Sequence, residues 1–249
     1  MTEGYVVVAI GDVYLKMAEA FISTLRRHGD DREVHVIEST TDLPHRGLCN
    51  TDFERNGTLP KICLDIISPF DHNIYLDIDM LCVGKTDYVW DLCKSQEQYL
   101  YQAGIAGDRT FNRGEIAAYT EAQGWGTAPR VQGGFIYLNK TKLDPTLYEW
   151  MREDVFLNYH DYFSKPLRYK NSRTDQTIYS LAHAKYGLEV MPMLEKPVMT
   201  FLDRYETLPT NRVFFKGQQA LLDKPVAFCH MMAKPGNPVY NQLYSEAMK

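Results

Sequence analysis

The sequence predicts an α/β fold built on a mixed, mostly parallel sheet flanked by helices. Three observations carry that expectation. Apolar, β-branched runs alternate with stretches of helical period through the N-terminal part of the chain, the pattern of parallel strands joined by helical crossovers. The first such run, Tyr5 to Ile10, has no polar interruption, as expected of a strand covered on both faces. With 249 residues, 45% hydrophobic and 24% charged, the chain can bury one large core, and a single domain over 1–249 is expected.

The elements follow in order. After Gly11 the period changes: Tyr14, Met17, Ala18, Phe21, Ile22 and Leu25 fall on one helical face, and Arg26, Arg27, His28 and then Gly29 form a favourable helix end. Glu33 to Glu38 alternates as a second strand, and a polar loop leads to a helix from Pro60 to Ser68, stopped by Pro69. The run "NIYLDID" reads as the third strand. A short helix is expected over Asp87 to Lys94, a strand over Gln98 to Ala103, and a long loop with some helix from Gly104 to Arg130. "VQGGFIYLN" returns to strand character. Asp144 and Pro145 then supply the N-cap and first position of a helix burying Leu147, Trp150, Met151 and Val155. Asp175 to Tyr186 is the last clear helix, closed by Gly187, and "LEVMPM" and "VAFCHM" supply short late strands.

Composition narrows the function. A formal net charge of −5 and a pI near 5.8 provide no global attraction to phosphate polyanions. Five cysteines form an odd set without CxxC spacing, several inside apolar runs, which fits small core residues in a reducing, cytoplasmic setting. "MTEGYVVVAIGD" lacks a basic leader pattern, and no apolar run approaches the roughly 20 residues of a membrane span, so none is expected.

The chemistry centres on Asp77 and Asp79 in "IYLDIDML". Side chains two apart on a strand share a face, so both carboxylates are expected to project together, with Leu76, Ile78 and Met80 opposite. They close an apolar strand, where ligands of open α/β sheets bind. Two adjacent anions repel, so one takes up a proton or a cation sits between them, and oxygen ligands suit Mg²⁺ or Mn²⁺ with substrate phosphates completing the shell. Solvated aspartates at a sheet edge are the plain alternative, and two residues alone do not separate these readings.

In its context, "SPFDHNIYLDIDMLCVG" resembles the D-x-D region of GT-A glycosyltransferases, in particular the glycogenin-like and lipopolysaccharide galactosyltransferase-like retaining enzymes. Further stretches agree in order, from Tyr5 to Gly236. "AIGDVYLKMAEAFISTL" is similar to the first strand and helix, with Tyr14 at the tyrosine lying against the nucleotide base, and "TLPKICLDIISPF" to the segment whose cation, here Lys61, reaches the donor. "VQGGFIYLN" resembles the strand lining the sugar pocket, "TDQTIYSL" the Asp-Gln helix start, and "CHMMAKPG" the C-terminal His-to-Lys-Pro motif. Gln132 stands where the family usually has Asn, the His-to-Lys-Pro spacing is shorter, and Gly236 replaces a Trp.

The resemblance implies a GT-A glycosyltransferase, a hexosyltransferase acting with retention on a nucleotide-diphosphate sugar, a UDP-sugar. Asp77, Asp79 and His230 would hold Mn²⁺ or Mg²⁺. Tyr14, Lys61, Asp77, Gly133, Gly134 and Lys234 would bind the donor, and Gln132, Asp175 and Gln176 would act at the sugar. Each has a plainer reading as well: Tyr14 and His230 as core residues, the glycine pair as a strand bulge, Asp175 as a helix cap. The basic segment "SKPLRYKNSR", with Lys165, Arg168, Lys170 and Arg173, is a candidate acceptor-binding strip. The acceptor would be a glycan, a lipid-linked glycan or a protein hydroxyl, with a hydroxymethylated nucleic-acid base as the alternative. Two rival readings remain at this point: a haloacid dehalogenase-type phosphatase with Asp77 as nucleophile, which Leu81 and Asp175-Gln176 fit poorly, and a catalytically silent sugar-nucleotide binding module.

Overall fold

The computed structural model describes residues 1–110, 114–159, 173–192, 198–201 and 227–230, together with 241 and 245. Its main sheet has six strands in the order β2-β1-β3-β6-β5-β7, namely β2 (Glu33–Ile37), β1 (Glu3–Val8), β3 (His72–Leu76), β6 (Arg130–Asn139), β5 (Leu100–Ile105) and β7 (Met191–Pro192). β1 pairs parallel with β2 and β3, and β5 parallel with β7, whereas β6 runs antiparallel to both β3 and β5. The mixed, mostly parallel sheet is as expected. A second, three-stranded sheet orders as β4 (Met80–Cys82), β9 (Phe228–His230) and β8 (Met199–Phe201).

The period-two pattern of β1 explains how both faces are covered. Val6 and Val8 join a core with Leu59, Leu64, Leu147, Met151, Val155 and Ile178, while Tyr5 and Val7 join another with Phe21, Leu25, Val89, Trp90 and Phe228. Helices therefore lie on both sides, Asp12–Arg27 and Asp87–Lys94 on one, Pro145–Trp150 and Asp175–Tyr186 on the other. Each fully buried Val or Leu here contributes about 1.5–3 kcal/mol.

Most boundaries match the sequence within a residue or two. Gly29 and Gly187 have φ of 80° and 64°, the left-handed conformation that ends a helix, and Asp144 Oδ1 accepts from the Thr146 N–H at 2.9 Å. Helix Glu115–Ala122 lies within the predicted long loop. The helix predicted from Pro60 to Ser68 is divided into Leu59–Lys61 and Leu64–Ile67. Its carbonyls are taken by outside donors, Lys61 C=O by the Tyr179 hydroxyl at 2.6 Å and Ile62 C=O by Arg152 at 3.1 Å.

The third strand requires the main correction. It stops at Leu76, so Asp77 and Asp79 do not share a strand face. The Asp77 N–H makes the last bond to β6, at Gly134 C=O, and the Met80 N–H then returns to Asp77 C=O at 3.0 Å. This tight turn hands the chain from the large sheet to the small one, where Met80 pairs with His230.

Candidate active site

The turn after β3 brings the two aspartates together by folding rather than by strand alternation. Met80, one residue beyond Asp79, is in register with His230, so the β4–β9 ladder delivers the imidazole to the turn. His230 Nε2 lies 2.9 Å from Asp79 Oδ1 and 3.9 Å from Asp77 Oδ2. One ligand atom from each of the three residues falls within 4.8 Å of the others, and all three side chains are partly open to solvent. Burial opposes charge on Asp79, but its bond to His230 and that ring's field hold the carboxyl below the usual range. Burial likewise opposes charge on His230, and the bond to Asp79 with the fields of both aspartates raises its pKa.

Behind this group lies a buried lock. Lys61 Nζ contacts Asp175 Oδ2 at 2.6 Å and Asp77 Oδ1 at 2.9 Å, and the ammonium sits 5.5 Å from the centre of the Tyr75 ring. Burial disfavours the lysine's charge, yet Asp175 and then Asp77 outweigh it and hold the amine protonated well above the ordinary lysine range. The Tyr75 hydroxyl donates to the same Asp77 Oδ1 at 3.1 Å. Lys61 and Tyr75 thus occupy one oxygen of Asp77 and leave the other facing His230. Among the described residues, three carboxylates, Asp77, Asp79 and Asp175, gather around one ammonium and one imidazole. Two carboxylate donors and one imidazole in an acidic cluster fit a divalent cation.

The glycine pair on β6 makes room for both groups. β5 pairs with β6 at Gln102↔Ile136 and next at Gly104↔Val131, so the intervening residues of β6 swing away from β5. A Cβ on Gly133 would fall on Asp175 Oδ2 and lie 3.2 Å from Lys61 Nζ. One on Gly134 would meet the Met80 methyl at 2.8 Å, Asp77 Oδ2 at 3.0 Å and His230 Cε1 at 3.3 Å. The register shift agrees with the bulge reading of the glycine pair, and the atoms that approach the two glycines belong to the protein. Gln132 Oε1 accepts from Gln176 Nε2 at 3.4 Å, beside Asp175, which is 5% exposed.

Beside the aspartates opens a cavity of about 440 Å³, lined by Val8, Ile10, Tyr14, Met17, Tyr75, Asp77, Ile78 and Asp79 and by Asp52, Phe53, Asn56 and Gly57. Tyr14, Lys61, Asp77, Asp79, Gln132, Gly133, Gly134, Asp175, Gln176 and His230 are thereby gathered in one region, linked by the contacts above or by the cavity wall. Lys234, Lys165, Arg168 and Lys170 lie outside the described residues. Arg173 is not available to an acceptor: at 8% exposure its guanidinium pairs with Glu54, bonds Phe156 C=O at 2.6 Å and packs over the Phe156 ring. Sequence reasoning missed Tyr75 and the Asp52–Gly57 wall. Alternation within "IYLD" places Tyr75 beside Asp77, and Thr51-x-x-Glu54 is a capping-box signal announcing the turn that carries the wall.

No protein-family model matches the sequence, and no curated protein matches it. Solved structures do. A galactosyltransferase, LgtC, in complex with donor and acceptor sugar analogues superposes with a TM-score of 0.57 at 17% identity, over 98% of this chain and 95% of that one. Mouse xyloside xylosyltransferase 1 gives 0.56 at 10% identity over 93% and 98%. The bifunctional glycosyltransferase WbbM gives 0.55 at 13%, over 99% of this chain and 50% of its own. The likeness establishes the fold as GT-A type, in agreement with the sequence-based expectation.

Proposed function

We propose that this chain, as a single domain, is a metal-dependent glycosyltransferase that moves a sugar from a nucleotide-diphosphate donor, a UDP-sugar, to a hydroxyl acceptor with retention. The observation that carries this reading is the convergence of Asp77, Asp79 and His230 beside a cavity whose wall includes both aspartates and Tyr14. A Mn²⁺ or Mg²⁺ ion held by these three residues would supply positive charge to the departing diphosphate. Lys61 and Tyr75 fix Asp77 with one oxygen turned toward that position. Lys61 also fixes Asp175, whose other oxygen, with the Gln132–Gln176 pair, positions sugar hydroxyls. Tyr14 stacks on the base, and the Gly133–Gly134 bulge keeps these groups together. Lys234 belongs to the donor site through the sequence motif alone. A glycan, lipid-linked glycan or protein hydroxyl is the acceptor class, with a hydroxymethylated nucleic-acid base as the alternative.

The test is a panel of nucleotide sugars with Mn²⁺, following nucleotide release and product anomer. Activity with one donor that chelator removes, and that Asp79→Ala lowers by roughly 100-fold or more, is expected. Absence of metal-dependent turnover with every donor overturns the reading; tight donor binding without turnover instead assigns a silent binding module.

A further inference from the structure

We propose that Phe53 forms a second aromatic wall of the donor cavity at its nucleoside end, so that the Asp52–Gly57 turn sets how tightly the base is held. The inference rests on the donor reading above and concerns a segment which that reading leaves without a task. Four residues of this turn, Asp52, Phe53, Asn56 and Gly57, line the cavity, and their spacing places them on one face of a helical turn. The opposite face is buried, with Glu54 and Thr58 at 0% exposure. Phe53 remains 48% exposed, one of few large apolar side chains so placed among the described residues. Its ring lies over its own turn: a Cβ on Gly57 would be in ordinary van der Waals contact with ring atom Cδ2, at 3.5 Å.

The turn presenting the ring is rigidly held. Thr51 Oγ1 accepts from the Glu54 N–H at 3.1 Å and Glu54 Oε2 accepts from the Asn50 N–H at 2.6 Å and the Thr51 N–H at 3.3 Å. Glu54 Oε1 takes the Arg173 N–H at 2.8 Å, and the Thr58 hydroxyl donates to Arg173 C=O at 3.0 Å. The backbone over Glu54–Thr58 widens to i→i+5 bonding, a form concentrated at functional sites. A ring on so anchored a turn is preorganised and costs little ordering on binding.

The choice of base over sugar follows from what shares the cavity. Val8, Ile10, Tyr14 and Met17 give it an apolar end suited to a flat heterocycle. Gln132, Asp175 and Gln176, the polar groups suited to sugar hydroxyls, are not among its lining residues. With Asp77 and Asp79 in the same wall, a diphosphate at the carboxylates places the nucleoside toward Tyr14 and Phe53.

Calorimetric titration of wild type, Phe53→Ala and Phe53→Trp tests this, using UDP, CDP, ADP, GDP and inorganic pyrophosphate, each with Mn²⁺. The half-exposed position lets both variants fold, checked by unchanged thermal unfolding. Phe53→Ala should weaken the preferred nucleoside diphosphate roughly tenfold, Phe53→Trp should hold it within about twofold, and pyrophosphate should bind all three proteins alike. Unchanged nucleoside diphosphate affinity in Phe53→Ala, or an equal loss for pyrophosphate, overturns the inference while leaving the donor reading standing. A wild type that binds pyrophosphate but no nucleoside diphosphate more tightly overturns both.

Discussion

Gly133→Ala turns the packing behind the site into a measurable quantity. The added Cβ would fall on Asp175 Oδ2, 2.9 Å from its Cγ and 3.2 Å from Lys61 Nζ. Gly133 lacks a left-handed φ, so its backbone accepts alanine and the cost is steric. Reduced freedom of the unfolded chain favours alanine by about 0.5 kcal/mol, but Asp175 must move and stretch its 2.6 Å contact with buried Lys61, giving a net loss of about 2 kcal/mol. For a chain of this size that is a fall of roughly 4–8 °C in Tm. Asp175→Ala alone leaves Lys61 with Asp77 as its carboxylate partner among the described residues and should cost about 3 kcal/mol. In the double variant the alanine has the space the carboxylate vacated, so the total should be about 3 kcal/mol rather than about 5. Urea unfolding of the four proteins, with m unchanged across the cycle, measures the coupling. Strict additivity, or a Gly133→Ala protein as stable as wild type, refutes the claim that this glycine exists to admit the Asp175–Lys61 pair.

Two other buried groups give stability predictions. Burial lowers the His183 pKa to about 4 from an ordinary 6.5, against the opposing bond to Leu188 C=O. Above pH 6.5 the ring is neutral folded or unfolded; below it the unfolded chain gains a proton the folded one refuses. Stability should therefore fall by about 3 kcal/mol as pH drops from 6.5 to 4, and comparing urea midpoints of wild type and His183→Gln should show that component gone. An identical pH slope in both proteins would count against it. Arg173→Ala should cost about 3 kcal/mol by leaving Glu54 buried without its guanidinium, with Arg173→Lys recovering less than half because the planar fork is lost. A loss within about 0.5 kcal/mol, the range of an ordinary surface substitution, would return Arg173 to the exposed basic strip.

The sequence alone determined the α/β class, the strand cores and the helix ends, because those depend on local terms: side-chain alternation along Tyr5–Val8, helical spacing from Tyr14 to Leu25, left-handed glycines at 29 and 187, and the Asp144-Pro145 start. Ordered short motifs also singled out the residues of the candidate site, since each carries a recognisable residue type. What they do to one another was settled in three dimensions. Asp77 and Asp79 converge through a turn, because the last bond to β6 and the start of a second sheet end β3 at Leu76, short of both aspartates that alternation placed on it. His230 arrives through the register of β9 against β4, a pairing across 150 residues of separation between Met80 and His230 that no local pattern encodes. Lys61 lies between Asp175 and Asp77, and Arg173 inside the fold on Glu54, because a buried cation goes where carboxylates converge, and that convergence exists only once distant strands and helices have packed.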